Sequence, residues 1–178
     1  MQGGPHNHTI GGISVALHEA QSPEYRDYTK RVVTNAKALA AALTKRGHTL
    51  VTNGTDNHIV LWNLRPHGLT GSKLEAMSNY ANVTLNKNTI AGDKSAMTPH
   101  GIRLGTPACT TRGYTEAHMD TVAEFLDRIC KESLKIQQGK GKKLSEFVQG
   151  VQDSDEVKKI SSDVEEFASQ FEWPGLSI

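Results

Sequence analysis

The sequence has little of what would point to a membrane, a secreted scaffold or a nucleic-acid partner. No apolar run approaches the roughly 20 residues that cross a bilayer. The two cysteines, Cys109 and Cys130, are too few and too far apart for a disulfide framework or a zinc site. Lysine plus arginine number 20 and aspartate plus glutamate 19, so the net charge of +1 gives no electrostatic case for nucleic acid. A soluble globular protein of a reducing compartment is therefore the expectation.

Several enzyme motifs are also missing. No GxxxxGK[ST] or GxGxxG segment occurs, which excludes a phosphate-loop NTPase and a Rossmann dinucleotide site, and neither GxSxG nor HExxH is present. His6 and His8 are two residues apart, but no third ligand follows nearby and the other six histidines are scattered. No metal site is predicted. The lysine- and glycine-rich segment 139–143 is predicted to be a solvated linker.

Apolar periodicity predicts helices that cover a few short strands. Gly11 and Gly12 inside the first helix favour close packing of that helix against another element. The order of elements predicts an α+β sandwich, with a small mixed sheet covered by helices. The predicted helices are 9–20, 23–45, 70–80, a long helix that opens at 115, 144–151 and 154–171, and the predicted strands are 48–52, 58–64, 83–85 and 101–105.

Arg103 stands in a glycine-bounded strand, between Ile102 and Leu104. A buried guanidinium needs a partner, and its fork matches a carboxylate. An internal pair with an aspartate or glutamate is the simpler interpretation of an isolated arginine. The amide- and lysine-rich segment 86–96, predicted to be a loop just before the strand, favours an external carboxylate on a small zwitterionic substrate.

Gly3 and Gly4 precede the first helix, where backbone N–H groups are able to approach an anion. The simpler interpretation of such a pair is turn geometry alone.

Four separated segments of the sequence resemble segments of one protein family. They are QGGPHNHTIGGISVAL, TDNHIVLWNL, NKNTIAGDKSA and GIRLGTPACTTRG, in this order, and the likeness continues to EEFASQFEWPG near the end. The sequence resembles serine hydroxymethyltransferase of the eukaryotic type. The resemblance implies an enzyme that interconverts serine plus tetrahydrofolate with glycine plus 5,10-methylenetetrahydrofolate, with pyridoxal 5'-phosphate as cofactor and tetrahydrofolate as co-substrate.

The resemblance also implies a fold and its division into domains. The fold is the aspartate-aminotransferase-like fold of fold-type-I pyridoxal-phosphate transferases, of α/β class overall. Residues 1–21 would end the large cofactor-binding domain and form its following helix, and residues 22–178 would be the C-terminal small domain.

Roles transfer from the family only to matching positions. Arg103 would bind the amino-acid carboxylate, and Gly3 and Gly4 would approach the cofactor phosphate of a neighbouring subunit. The residues expected to contact folate are Lys87, Asn88, Ser95, Ala96 and Met97. The family's Schiff-base lysine and its other catalytic groups precede this region, so no catalytic residue is expected here and the chain alone is expected to be inactive.

Two other functions stay open: a non-catalytic truncated paralogue that docks on a full-length subunit, and the small domain of another fold-type-I enzyme such as an aminotransferase. The resemblance further implies serine, glycine and folate as partners and a homodimer or homotetramer. A cytoplasmic location is expected, with a mitochondrial one as the alternative, because a targeting segment would lie upstream. Neither nucleic acid nor a membrane is an expected partner.

Overall fold

Seven α-helices and four short strands make up the part that the computed structural model describes, residues 3–140 and 143–175. The helices are α1 Asn7–Glu19, α2 Pro23–Lys45, α3 Gly71–Tyr80, α4 Pro107–Thr111, α5 Glu116–Lys140, α6 Leu144–Asp153 and α7 Asp155–Ala168. The strands are β1 Thr49–Leu50, β2 Ile59–Asn63, β3 Asn86–Asn88 and β4 Gly101–Gly105, and short 3₁₀ turns follow β1 at Val51–Asn53 and β2 at Arg65–His67.

The strands form one sheet in the order β1-β2-β4-β3, and every neighbouring pair is antiparallel. The predicted α+β class, with helices covering a small sheet, is confirmed. The prediction of a mixed sheet was wrong, because the order of elements along a chain does not fix the direction in which strands pair. β4 lies inside the sheet, between β2 and the edge strand β3.

One face of the sheet is buried under the helices and the other is not. Side chains alternate between the two faces of a strand, as antiparallel sheets with one covered face require. Val60, Trp62, Ile102 and Leu104 belong to the buried core, which α2, α3 and α5 complete. Each large side chain removed from water contributes about 1.5–3 kcal/mol before entropy is subtracted. The core therefore fixes the sheet's orientation.

Hydrogen bonds explain where α2 begins and how it holds the end of β4. Ser22 precedes the helix and accepts a 3.1 Å hydrogen bond from the Tyr25 N–H, which satisfies one orphan donor of the first turn. The buried Thr106 hydroxyl, just after β4, donates to the Val32 carbonyl at 2.8 Å. The buried Asn35 amide donates to the Thr110 hydroxyl at 2.9 Å. The exit from β4 is thus fixed on α2.

The C-terminal helices pack as the sequence predicts. Phe147 of α6 and Val164 of α7 are buried, and Phe167 and Phe171 lie partly buried against the core. Phe171 meets the Tyr114 ring edge-on, with the ring centroids 3.9 Å apart. The four side chains expected to pack this region do so.

The predicted close packing of α1 is not found within the described residues. The helix has no buried residue, and Ile10, Ile13, Val15 and Leu17 are 50–61% exposed. A Cβ atom added at either glycine of this helix, Gly11 or Gly12, would meet no atom within 4 Å. α1 is an apolar helix without a covering surface in this structure. In the described part of the chain, no helix is long and apolar enough to cross a membrane.

Several elements differ from the prediction; α1 begins at Asn7 rather than at residue 9, β1 is Thr49–Leu50 rather than 48–52, and α7 ends at Ala168 rather than at residue 171. The strand expected at 83–85 begins three residues later, because Val83 and Leu85 pack into the core before pairing with β4 starts at Asn86. Helix α4 was not predicted; Pro107 at its first position, with φ already suited to a helix, is the signal that was missed. Residues 139 and 140 of the predicted linker still belong to α5, while 141 and 142 lie outside the described residues.

Candidate functional site

Arg103 lies at the centre of the uncovered sheet face. It stands opposite Leu61 of β2 and Asn86 of β3. Its neighbours Ile102 and Leu104 are buried, whereas Arg103 itself is exposed. The prediction of a buried guanidinium was wrong because the two-residue period of a strand turns Arg103 away from the core.

The guanidinium is oriented by an amide rather than by a carboxylate. Its Nε–H donates a 3.1 Å hydrogen bond to the Asn86 side-chain oxygen. Within residues 3–140 and 143–175, this is the hydrogen bond recorded for the Arg103 side chain, and no carboxylate lies within 4.0 Å of it. The two terminal NH₂ groups are thus able to bind a carboxylate from outside, which would accept two charge-assisted hydrogen bonds.

The surface around Arg103 is weakly polar. Ile59, Leu61 and Asn63 of β2 are half-buried and lie on the same face, and so does Asn88 of β3. Apolar and amide groups attract no competing anion and repel no carboxylate. If this face is covered by another part of the protein, the lower dielectric would strengthen an arginine–carboxylate pair.

Lys87 lies on the other face of the sheet. It pairs in register with the buried Ile102, and its ammonium group contacts the Glu75 carboxylate of α3 at 2.7 Å. The Lys87 backbone N–H also donates to Glu75, at 3.0 Å. Burial raises the pKa of Glu75, but the Lys87 side-chain and backbone hydrogen bonds outweigh it and the net pKa is lowered. The structure therefore separates Lys87 from Arg103 and pairs it internally.

The other predicted folate residues lie on β3 and on the loop that follows it. The Asn88 amide donates to the Thr89 carbonyl at 2.7 Å. Ser95, Ala96 and Met97 are exposed, and the Met97 side chain is 79% accessible. The Ser95 hydroxyl accepts the Met97 N–H at 3.1 Å. The segment 86–96 predicted as a loop is thus an edge strand followed by a loop, which spans residues 89–100.

Asp93 organises this loop, and sequence reasoning missed it. Its side chain is 1% exposed and accepts hydrogen bonds from the Ile90 and His100 N–H groups at 2.9 and 3.0 Å. His100 Nδ1 and Arg65 Nη2 contact the other carboxylate oxygen at 2.7 and 2.8 Å. Burial raises the pKa of Asp93, but these four groups outweigh burial and hold the pKa well below its usual range. Gly92, with φ of +88°, was the available turn signal.

Gly3 and Gly4 lie ahead of α1 and are exposed. A Cβ atom at either position would meet nothing within 4 Å, so their backbone is open to an approaching group. The described residues form no pocket around these two glycines. An anion site at these glycines stays a prediction.

Comparison with known proteins gives a consistent result. Residues 1–126 match the family model described as serine hydroxymethyltransferase. Serine hydroxymethyltransferase 4 of Arabidopsis thaliana is 46% identical over 176 residues, which are 99% of this chain and 37% of the relative. The mitochondrial serine hydroxymethyltransferase of Candida glabrata is 45% identical over an alignment of 181 positions, which covers 98% of this chain and 37% of the relative.

A cytosolic serine hydroxymethyltransferase of Oryctolagus cuniculus is 42% identical over an alignment of 182 positions, which covers 99% of this chain and 38% of the relative. The chain spans just over a third of the length of these three relatives.

Proposed function

Because the chain belongs to the serine hydroxymethyltransferase family, we propose that it is the C-terminal portion of an enzyme that interconverts serine and glycine with tetrahydrofolate. Its own task in that reaction is to bind the carboxylate of the amino acid. The observation that supports this task is the exposed Arg103, whose terminal NH₂ groups point from a weakly polar sheet face. Family membership removes the aminotransferase alternative.

The contribution of Arg103 is positional. A planar guanidinium that binds a carboxylate through two N–H groups fixes both the place and the orientation of the substrate. Asn86 holds the guanidinium in the required direction through the Nε–H, at 3.1 Å. Hydrogen bonds that involve a charged group contribute about 1.5–3 kcal/mol each. Two such bonds therefore account for a large share of the affinity for a small amino acid.

The family implies pyridoxal 5'-phosphate, and the described residues fit only one part of it. The open backbone at Gly3 and Gly4, just before α1, fits the phosphate of a cofactor held by a neighbouring subunit. When bound, the cofactor supplies an electron sink for the bonds at the amino acid's α-carbon. The part played by this chain is to present Arg103 toward the substrate.

We propose that folate contacts the β3 edge and the loop 89–100. Asn88 and the exposed Ser95, Ala96 and Met97 would meet the co-substrate directly. Lys87 would act indirectly, because its ammonium group already pairs with Glu75 and anchors β3 on α3. The Asp93 network would keep the loop in one conformation.

The assembly and the location are proposed on family grounds. A homodimer or homotetramer would place Gly3 and Gly4 against a neighbouring subunit. A cytoplasmic location is proposed with a mitochondrial one as the alternative; relatives named cytosolic, mitochondrial and chloroplastic are 42–46% identical, so similarity does not choose between compartments.

Substitution of Arg103 tests the proposed function. In catalytically complete protein that carries this region, Arg103→Ala should weaken serine binding by about 100-fold, because about 3 kcal/mol of charged hydrogen bonding is lost. The absorbance of the bound cofactor should stay unchanged. Serine titration followed by the cofactor's spectrum measures both quantities.

The matched control is Arg26→Ala, which removes an exposed arginine of α2 and should leave serine affinity as it was. Serine binding that survives Arg103→Ala would show that another group holds the carboxylate. Arg103→Lys should recover only part of the affinity, since an ammonium group does not present the two-pronged fork.

A further inference from the structure

Three metal-ligating side chains that are far apart in the sequence meet beside the start of β1. His48 lies between α2 and β1, His67 ends the turn after β2, and Cys130 lies on α5. His48 Nδ1 and His67 Nε2 are 3.2 Å apart. A ring nitrogen of each histidine and the Cys130 sulfur also lie within 4.8 Å of one another. No metal site was expected because no third ligand lies near His6 and His8 in the sequence. The fold brings together three ligating residues that are far apart in the sequence.

The second nitrogen of His48 has the partner that metal-bound histidines usually have. His48 Nε2 lies 3.1 Å from the Asp127 carboxylate, which also contacts the Lys131 ammonium group at 2.7 Å. An ionised carboxylate only accepts hydrogen bonds, so His48 donates its Nε2–H and directs the Nδ1 lone pair toward His67. A histidine fixed in this way by a carboxylate is the common outer shell of a zinc site.

The spacing suits a tetrahedral ion. Two imidazole nitrogens at 2.0–2.1 Å from zinc lie about 3.3 Å apart, and a thiolate sulfur lies about 3.5 Å from each of them. The observed nitrogen separation of 3.2 Å agrees with the first value. The Cys130 sulfur lies within 4.8 Å of a ring nitrogen of each histidine, so a movement of at most about 1.3 Å would bring it to the sulfur–nitrogen distance of a bound ion. His67 is half-buried and lies on a short turn, so it is able to make this adjustment and to admit an ion.

We infer that His48, His67 and Cys130 form a binding site for a divalent cation that prefers nitrogen and sulfur ligands, of which Zn²⁺ is the representative. Asp127 orients His48 from the outer shell, and water completes the fourth position. Nitrogen and sulfur ligands disfavour Mg²⁺ and Ca²⁺, which prefer oxygen. The bound ion would link the α2–β1 junction, the turn after β2 and α5.

Binding of an ion would displace the proton of the Cys130 thiol. Burial raises the pKa of the Cys130 thiol to about 12, so without an ion the sulfur keeps its proton. Coordination replaces the S–H bond by a metal–sulfur bond and releases that proton to solvent. The proton between the two imidazole nitrogens moves to the outer nitrogen of His67. One Zn²⁺, one thiolate, the Asp127 carboxylate and the Lys131 ammonium group then sum to a charge of +1.

Titration with Co²⁺ and Zn²⁺ tests the site on the whole chain, reduced and freed of metal with a chelator. We expect one Co²⁺ per chain, with a near-ultraviolet sulfur-to-metal absorption band that Zn²⁺ abolishes on displacement. Cys130→Ser should remove the band, and His67→Gln should weaken Co²⁺ binding at least tenfold. Asp127→Asn should keep the band and weaken binding by about 10–100-fold, as loss of an outer-shell partner does.

Cys109→Ser and His58→Gln are the matched controls and should leave the band and the affinity unchanged. Circular dichroism without metal identifies any variant that fails to fold, and the half-exposed His67 keeps the test valid if Cys130→Ser is one of them. The inference is overturned if no 1:1 complex forms, or if the band persists in Cys130→Ser. Neither outcome depends on the proposed transferase function, because the readout is metal binding alone.

Discussion

At the scale of single residues, the structure divides charged groups into those that hold the chain and those that face outward. Asp93 and Lys87 come from one polar segment, yet both are paired internally, Asp93 with Arg65 and His100 and Lys87 with Glu75. Arg103 contacts an amide and presents its charge outward. The internally paired residues shape the loop and the strand that surround the arginine.

Replacement of Asp93 should make the free energy of unfolding depend less on pH in the acid range. The pKa of Asp93 is lowered by folding, so its contribution is fully present above the unfolded value of about 3.9 and is lost as the pH falls through the folded value. Asp93→Asn should lower the urea midpoint at pH 7, and its difference from the parent should shrink below about pH 4. Urea unfolding at a series of pH values measures this.

The control for that series is Asp56→Asn, at an exposed position, which should move the midpoint little at any pH. An unchanged midpoint for Asp93→Asn at pH 7 would show that the loop network adds nothing to global stability.

Sequence patterns predicted residue roles unevenly, for physical reasons. The role of Arg103 stays a prediction, and the prediction of its burial was wrong because side chains alternate along a strand and those of Ile102 and Leu104 face the core. Asp93 was missed, since four donors that converge on one carboxylate come from residues 65, 90 and 100. The histidine and cysteine cluster was missed for the same reason. Contacts between distant segments depend on the fold and leave no local pattern.

At the scale of elements, the long helices and the apolar strands β2 and β4 were predicted well, whereas the polar edge strand β3 was not. α2 carries its own start signal and a continuous apolar face, so its boundaries follow from local chemistry. β3 has three residues, all polar, and becomes a strand only because β4 offers a partner. Pairing, and not propensity, defines such a strand.

α1 buries none of its residues, and we expect its exposed apolar side chains to cause self-association of the chain. Exposed apolar side chains on one helix form a surface that water disfavours. The double substitution Ile13→Lys and Leu17→Lys should reduce association of the chain without lowering its thermal stability, since neither residue is buried. Sedimentation velocity over a range of concentrations measures the association.

The matched control is Ser14→Lys with His18→Lys, which adds the same charge to the same helix without removing apolar surface. If this control abolishes association equally, charge rather than apolar contact governs it.

At the scale of the whole molecule, the described residues form a helix layer on one face of a sheet whose other face is open. The core on the covered face is continuous from β1 to α7. The open face carries Arg103, and α1 extends from the same unit without burying a residue. These two surfaces fit the interpretation that further protein covers them, either the rest of the same transferase or a full-length subunit on which this chain docks.

We expect the 178-residue chain alone to be inactive. In the proposed function Arg103 would position a substrate without supplying covalent chemistry, and the family's Schiff-base lysine is expected outside these residues. Pyridoxal phosphate added to the purified chain should give no imine band that disappears with serine, and no glycine should form from serine and tetrahydrofolate. A reductive-labelling control identifies nonspecific adducts on surface lysines. A stoichiometric imine that serine removes would refute this expectation.

The interior position of β4 has a mechanical consequence. Arg103 is flanked by hydrogen-bonded strands on both sides, and the end of its strand is fastened to α2. The backbone at Arg103 cannot be displaced by a local loop movement without breaking two ladders at once. A movement that shifts the Arg103 backbone would therefore have to carry β2, β3, β4 and α2 with it as one body.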